Sequence, residues 1–537
     1  MTEVVGWADL HCHPVAHLGY GGKVGDRALF WGDTMGPVDQ ALACCTHAHG
    51  ALSWSSLVAH LVEHESSHCG YPAFDGWPSQ ATLLHQQMYL SGIRSSFEGG
   101  LRLMVASAVS NELLGDLYHS HHADTSDDTS MPAQLAYMRT VAAANASWME
   151  IAESPADARR IIAAGKLAVV LGVEADSVCG GAMRRDGQLD PLHVDAIVQK
   201  WFALGVRLIN PLHLADNALG GTAVFDDRLN LSSHYLVSKY ASQLPKPWFF
   251  EIDQQKNLLE GVELLLGGNP ASGAMITIYH QGYPDYLHMR PDGHINAKGL
   301  TFAGRTFLES MMKRGMLVDV EHMSWHTLDG AIDVAGKHDY PLFSTHTGLR
   351  ALAPPRGNAT WVRGVAHEGM RTDAQIAALK KLGSVIGLAG HLGPLKDVAY
   401  DTSAAWARAY RHARDHLGLD VIAVGTDMNG FIQQAAPRFT RDDQGRLHPV
   451  DPHNATRALD YGTDVIPHVG TVLRQSVLGS RSFDFNVDGL AQYGMVPDFV
   501  TDVALQLGGA SALDAFFRSA EGFLRAWETC VARAPNV

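Results

Sequence analysis

Two histidines stand one residue apart near the N-terminus, His11 and His13 in Trp7-Ala-Asp-Leu-His-Cys-His. On an extended strand, side chains at i and i+2 share a face, so both rings converge on one point, as two ligands of one metal must. The pattern recurs down the chain. Glu174 follows Leu-Gly-Val, His213 follows Asn-Pro-Leu, His322 follows Val-Asp-Val-Glu, His346 follows Pro-Leu-Phe-Ser-Thr, and Asp427 follows Val-Gly-Thr. Imidazoles mixed with carboxylates suit zinc or a similar borderline metal. The set is too large for one tetrahedral site with an open position. It suits two divalent ions, most simply Zn2+, sharing Glu174 as a bridge. Such a pair, about 3.5–4 Å apart, holds a hydroxide that attacks an activated carbonyl or phosphoryl group.

Singly, each residue has a plainer reading. A histidine in an apolar segment is commonly a satisfied core or surface group. Glu174 could cap a helix or pair with Arg184 or Arg185, and Asp427 could serve a turn in Thr-Asp-Met-Asn-Gly. What joins them is position. Eight apolar runs are expected as strands, at 6–11, 101–109, 167–173, 206–212, 316–321, 341–345, 384–389 and 420–425. Helix-like segments at 131–164, 190–204, 301–314, 325–338, 372–382 and 402–417 precede the third to eighth runs. Strands alternating with helices predict a parallel sheet, and eight units predict a (β/α)8 TIM barrel, whose chemistry sits at the C-terminal strand ends. No Gly-x-Gly-x-x-Gly follows the first run, which argues against a dinucleotide-binding open sheet. His391 ends the seventh run. His280 ends an additional apolar run, 274–279, that competes for strand status. Both are weaker candidates to line the site.

Three regions exceed what a barrel needs: residues 14–100 after strand one, expected as a cap, residues 214–300 after strand four, and a C-terminal extension, 428–537. In the last, 428–465 reads as a loop and 498–533 as helix. We expect one elaborated domain over 1–537. The 537 residues are 46% hydrophobic and 18% charged, ample for a large core. A formal charge of −15 argues against a general nucleic-acid or anionic-membrane partner. The six cysteines are scattered and read as free thiols in a reducing compartment. No signal peptide or membrane span is evident, so a cytoplasmic location is expected, with a small-molecule substrate and oligomeric state left open.

The segments around the fifth, sixth and eighth runs resemble a known family. Leu-Val-Asp-Val-Glu-His322-Met-Ser is similar to the "Ile-Asp-Leu-Ser-His-x-Ser" segment of the membrane (renal-type) dipeptidases, peptidase family M19 of the amidohydrolase superfamily. Pro-Leu-Phe-Ser-Thr-His346-Thr is similar to its "Pro-x-x-x-Ser-His-Ser", Arg356-Gly-Asn358 to its "Arg-Asn", and Val-Gly-Thr-Asp427-Met-Asn-Gly to its "Leu-Gly-Ser-Asp-Phe-Asp-Gly". The resemblance implies that Glu174 bridges two zinc ions, with His11 and His13 on one and His322 and His346 on the other. It implies that His213 polarises the scissile carbonyl, that Arg356 (with Arg350 as a rival) binds the substrate carboxylate, and that Asp427 holds the substrate amine and shuttles the proton. The chain departs from the family at His13, where an aspartate is usual, and in its two large insertions. The expected activity is hydrolysis of an amide bond, in a dipeptide or N-acyl amino acid-like substrate, by a metal-bridging hydroxide. Hydrolysis of a lactone, phosphoester or cyclic amide is the alternative within enzymes, and a non-catalytic, metal-stabilised binding protein is the alternative outside them.

Overall fold

The computed structural model of the chain describes residues 3–25, 27–45, 69–119, 123–180, 189–225, 295–296, 298–355 and 365–537. The expected strands form at all eight places: β1 (Trp7–Cys12), β2 (Leu101–Ser110), β3 (Leu167–Ala175), β4 (Val206–Asn210), β5 (Leu317–Val318), β6 (Phe343–Thr347), β7 (Val385–Ala389) and β8 (Ala423–Gly425). All neighbours pair in parallel, in the order β5-β4-β3-β2-β1-β8-β7-β6. The two ends of that order meet where Asp319 pairs with Phe343 and the Val320 amide donates to the Phe343 carbonyl at 2.8 Å. The sheet therefore closes on itself as a (β/α)8 barrel. Strands such as Leu-Ala-Val-Val-Leu-Gly-Val are apolar at nearly every position because both faces are covered.

The helices start where the sequence provides caps. Asp190, Thr301, Ser324, Thr372 and Thr402 cap α3 (Pro191–Ala203), α4 (Phe302–Met312), α5 (Trp325–Gly336), α6 (Asp373–Lys381) and α7 (Ser403–Arg411) through their side-chain oxygens. Thr372 and Gln375 form a reciprocal capping box. Ser324 lies two residues past His322, so the cap fixes where the fifth strand end stops and the helix begins.

Two expectations need correction. The 131–164 segment is not one helix: α1 (Asp127–Ala144) and α2 (Pro155–Ala163) flank a strand, Met149–Ile151. That strand takes the edge of β3 at Leu167–Val169, and β4 takes up pairing from Leu171. Three residues are too few to display a period. The 428–465 tract carries an antiparallel hairpin, Phe439–Arg441 with Leu447–Pro449, whose strands are equally short. The 498–533 segment is helical, as expected, with α8 (Val496–Leu507) and α9 (Ser519–Arg533) separated by short turns. The run 274–279 and His280 lie outside the described residues. Among the described residues no helix is long and apolar enough to cross a membrane.

Two irregularities shape the mouth of the barrel. Between Asp9 and Cys12, β1 spends three residues against two of β2, and between Ser344 and Thr347, β6 does the same against β7. Each is a bulge, which re-aims side chains; the first contains His11 and the second His346. The second leaves little room for its neighbours. A Cβ on Gly387 or Gly425 would stand 2.1 or 2.2 Å from the Thr345 carbonyl oxygen, so only glycine fits beside the bulge.

The C-terminal extension is bound into the barrel by polar contacts. The Gly6 amide donates to the Phe517 carbonyl at 2.8 Å, and the Ala8 amide to Ser519 Oγ at 2.8 Å. The Arg438 guanidinium holds buried Asp502 of α8 bidentately, at 2.5 and 2.7 Å. Nearby, Asp498 of α8 is buried and accepts from the Tyr461 hydroxyl at 2.6 Å. Burial pushes its carboxyl up to about 8, although that hydrogen bond pulls it down. An acid raised in the folded state contributes stability that is fully present below its unfolded value, about 3.9, and is lost as pH rises through about 8. Asn at 498 keeps an acceptor for Tyr461 and cannot ionise. Asp498→Asn should therefore gain stability relative to the parent as pH rises from 5 to 9. Parallel melting curves across that range check this, and a constant difference would contradict it.

Candidate metal centre

Every strand-end residue singled out from the sequence and lying in the described region is at the C-terminal mouth, and six converge with Glu174. His11 Nε2 lies 3.1 Å from Glu174 Oε2, and His13 Nε2 lies 3.4 Å from the same oxygen. On the other side, His322 Nε2 is 2.9 Å and His346 Nε2 3.9 Å from Glu174 Oε1. The two carboxylate oxygens thus face two different histidine pairs. Asp427 Oδ1 stands 3.0 Å from His13 Nε2 and 3.8 Å from His11 Nε2. His213 Nε2 is 3.8 Å from Glu174 Oε2, so His213, expected to touch substrate, also stands among the potential ligands with Glu174 and His322.

The chain folds to this arrangement at some local cost. His322 (φ 62°) and Asp427 (φ 49°) occupy the left-handed region, where a non-glycine side chain crowds its own backbone. Hydrogen bonds hold both. The His322 carbonyl accepts from the Ala223 amide at 2.7 Å and from Thr222 Oγ1 at 2.9 Å. The Asp427 amide donates to the His11 carbonyl at 2.8 Å, and the His13 amide donates to the Met428 carbonyl at 3.0 Å. Asn429 extends this seam, giving Nδ2 to the His13 carbonyl at 3.0 Å and to Gln86 Oε1 at 2.7 Å.

Further residues orient the imidazoles, as second partners of metal-ligating histidines do. The Ser107 carbonyl lies 2.9 Å from His13 Nδ1. Thr345 Oγ1 lies 2.9 Å from His346 Nδ1 and donates to Asp319 Oδ2 at 2.5 Å. Asp319 itself falls within ligand distance of His11 and His346. Asp176 Oδ1 is 3.4 Å from His213 Nδ1, and this carboxylate is held by the Asn111 side chain and the Leu214 amide, both at 2.8 Å. Sequence reasoning missed Asp319 and Asp176. Their only signal was proximity to a candidate ligand, Asp319 three residues before His322 and Asp176 two after Glu174.

The electrostatics follow from packing two carboxylates against five imidazoles in a buried place. Burial raises Glu174, but His11, His213 and His322 outweigh it and hold the carboxyl well below its usual range. Burial pulls His13 down, yet Asp427 and Glu174 push it up to about 10, and Glu174 with Asp176 likewise pushes His213 up to about 9. His346 is driven well below the usual value by burial and by His11 and His322, so it presents a neutral ring. The donor set fits a divalent metal. Glu174 Oε1 accepts no hydrogen bond despite its close imidazoles. The Nε2 atoms of His322 and His346 point at each other across 2.9 Å. Ligands about 2.0–2.1 Å from a tetrahedral zinc are about 3.4 Å apart, comparable to the separations here.

The walls of the mouth come from the loops. Tyr20 and Phe431 stack at 4.5 Å on one side, and Phe225 lies against His322 at 5.3 Å on the other. Glu368 joins two loops there: its Oε2 accepts from the amides of Val224 (2.8 Å) and Asn296 (2.9 Å), and its Oε1 from Trp325 at the start of α5 (2.8 Å). Arg350 is turned to the His367 carbonyl (2.7 Å) and over the Trp325 ring (5.0 Å). His391 lies 3.8 Å from Asp401 and is not among the converging ligands. Arg356 lies outside the described residues.

Residues 285–437 match the family model of Membrane dipeptidase (Peptidase family M19), a span that contains His322, His346 and Asp427. Among solved structures, the chain is similar to an amidohydrolase from Pseudomonas aeruginosa (13% identity, 82% of this chain and 93% of that one, TM-score 0.44). It is also similar to the probable dipeptidase PvdM from the same organism (15%, 86% and 90%, TM-score 0.43). A third is a metallopeptidase from Rhodobacter sphaeroides liganded with a phosphinate mimic of the dipeptide L-Ala-D-Ala (14%, 81% and 88%, TM-score 0.42). The matched span, which carries the strand-five, strand-six and strand-eight motifs, is similar to peptidase family M19, and the match supports a metal-dependent hydrolase.

Proposed function

We propose that the chain is a binuclear hydrolase that cleaves the amide bond of a dipeptide or N-acyl amino acid-like substrate. The observation that carries this reading is the position of Glu174, one oxygen toward His11 and His13 and the other toward His322 and His346. In it, those four histidines and Glu174 would hold two divalent ions, most simply Zn2+. Such ions, when bound, acidify water and polarise a carbonyl. The chain's own residues do the rest. Asp427, at the rim of the cluster, takes a proton from the attacking water and delivers it to the leaving nitrogen, as general base and then acid. His213 donates from Nε2 to the carbonyl oxygen as it gains charge, with Asp176 behind its Nδ1. Arg356 would bind a substrate carboxylate bidentately. Residues 14–100 and 214–300 follow strands whose ends form the mouth. Residues 14–100 would act as a cap that restricts which substrates enter.

Four outcomes test this reading. Protein dialysed against metal-free buffer should retain two tightly held divalent ions per chain by elemental analysis. Glu174→Gln should lose at least one of them, and unchanged content would remove the bridge. Asp427→Asn should keep the metal while turnover falls about 10²–10⁴-fold, the scale of general acid–base catalysis; undiminished turnover would deny Asp427 its role. In a panel of dipeptides, N-acyl amino acids, lactones and phosphoesters, the amides should be cleaved. Turnover confined to lactones or phosphoesters would refute the substrate class while leaving the metal centre in place.

A further inference from the structure

Separate from the residues around Glu174, a second set of ligands converges on the outer helices. Asp373 is the first residue of α6, and α7 runs on into a π-helical turn, His412–His416. The turn is defined by the Leu417 amide donating to the His412 carbonyl at 3.1 Å. It keeps the two histidines on one face, ring centroids 4.7 Å apart and planes inclined by 37°. His412 Nε2 stands 3.3 Å from Asp373 Oδ1, and His416 Nε2 stands 3.6 Å from Asp373 Oδ2. One ligand atom from each of the three residues lies within 4.8 Å of the others.

We propose that Asp373, His412 and His416 form a further binding site for a borderline divalent cation such as Zn2+, independent of the barrel centre. The ligand chemistry is two imidazoles and a carboxylate, leaving open positions for water. The separations bracket the edge of about 3.4 Å expected of a tetrahedron with zinc–ligand bonds of about 2.0–2.1 Å. Two nearby cations are engaged elsewhere. Lys380 Nζ is held by the Leu417 and Gly418 carbonyls at 3.2 and 2.7 Å, and the Arg414 guanidinium is paired with Asp415 at 2.6 Å. Neither directs its charge at the three ligands through these contacts. π-Turns inside helices recur at functional sites because the extra residue re-aims side chains. Here the turn sets His412, 12% exposed on its side chain, and His416, 66% exposed, on the same carboxylate. A bound ion would tie the start of α6 to the end of the α7 segment.

The test is zinc titration of the full-length chain, stripped by chelator and followed by native mass spectrometry. The parent should bind one more equivalent than His416→Ala, a change at an exposed position. Asp373→Asn should keep the fold and bind that equivalent at least tenfold more weakly. Hydrolytic activity of both variants, with the barrel centre loaded, should match the parent. Equal stoichiometry in parent and His416→Ala, or undiminished affinity in Asp373→Asn, would reduce the cluster to histidine–carboxylate ion pairs and overturn the proposal. The difference of one equivalent is readable whatever the barrel centre binds, so this proposal and the hydrolase reading fail separately.

Discussion

A buried carboxylate placed between two histidine pairs organises this molecule. Glu174 is almost wholly removed from water, and an isolated carboxylate there would be strongly destabilised. Its ionised form persists because imidazoles approach both oxygens. Those imidazoles come from β1, the loop after β4, the fifth strand end and β6, so the charge is satisfied only when the barrel is closed. The same requirement gathers ligands that suit a divalent metal. Stabilising the carboxylate and forming the site are one constraint.

The barrel meets that constraint through its departures from regularity. A plain parallel barrel would not present His11 and His346 as they stand; each lies in a bulge. The bulge in β6 in turn demands glycine at 387 and 425 on the adjoining strands. His322 and Asp427 sit in a backbone region that costs about 1–3 kcal/mol each, held by hydrogen bonds from Ala223, Thr222 and the β1 end. The loops that supply these bonds also furnish the walls at Tyr20, Phe431 and Phe225. Site geometry and loop packing are therefore coupled, and the strain is carried at the ligand cluster itself.

Much of this was legible in the amino-acid order. A strand buried on both faces must be an apolar run, and a residue that breaks the run at its C-terminal end is either a turn former or a functional group. That argument placed all eight strands and picked out His11, His13, Glu174, His213, His322, His346 and Asp427. It failed where no pattern could develop. Met149–Ile151 and the hairpin at 439–449 use strands of three residues. Asp319 and Asp176 looked like ordinary polar residues beside candidate ligands, because their roles depend on which imidazole lies across from them.

The sequence by itself determined the period of the elements, the caps that start the helices and the chemical types available at the strand ends, since these are properties of neighbouring residues along the chain. Only the tertiary structure decided which oxygen of Glu174 faces which histidines. It also decided that His213 stands among the potential ligands, that Asp319 backs His346 through Thr345, and that Asp373 meets His412 and His416 some forty residues on. The reason is physical: periodicity is local, whereas the approach of two side chains from separate strands or helices is set by closure of the barrel and the bulges within it.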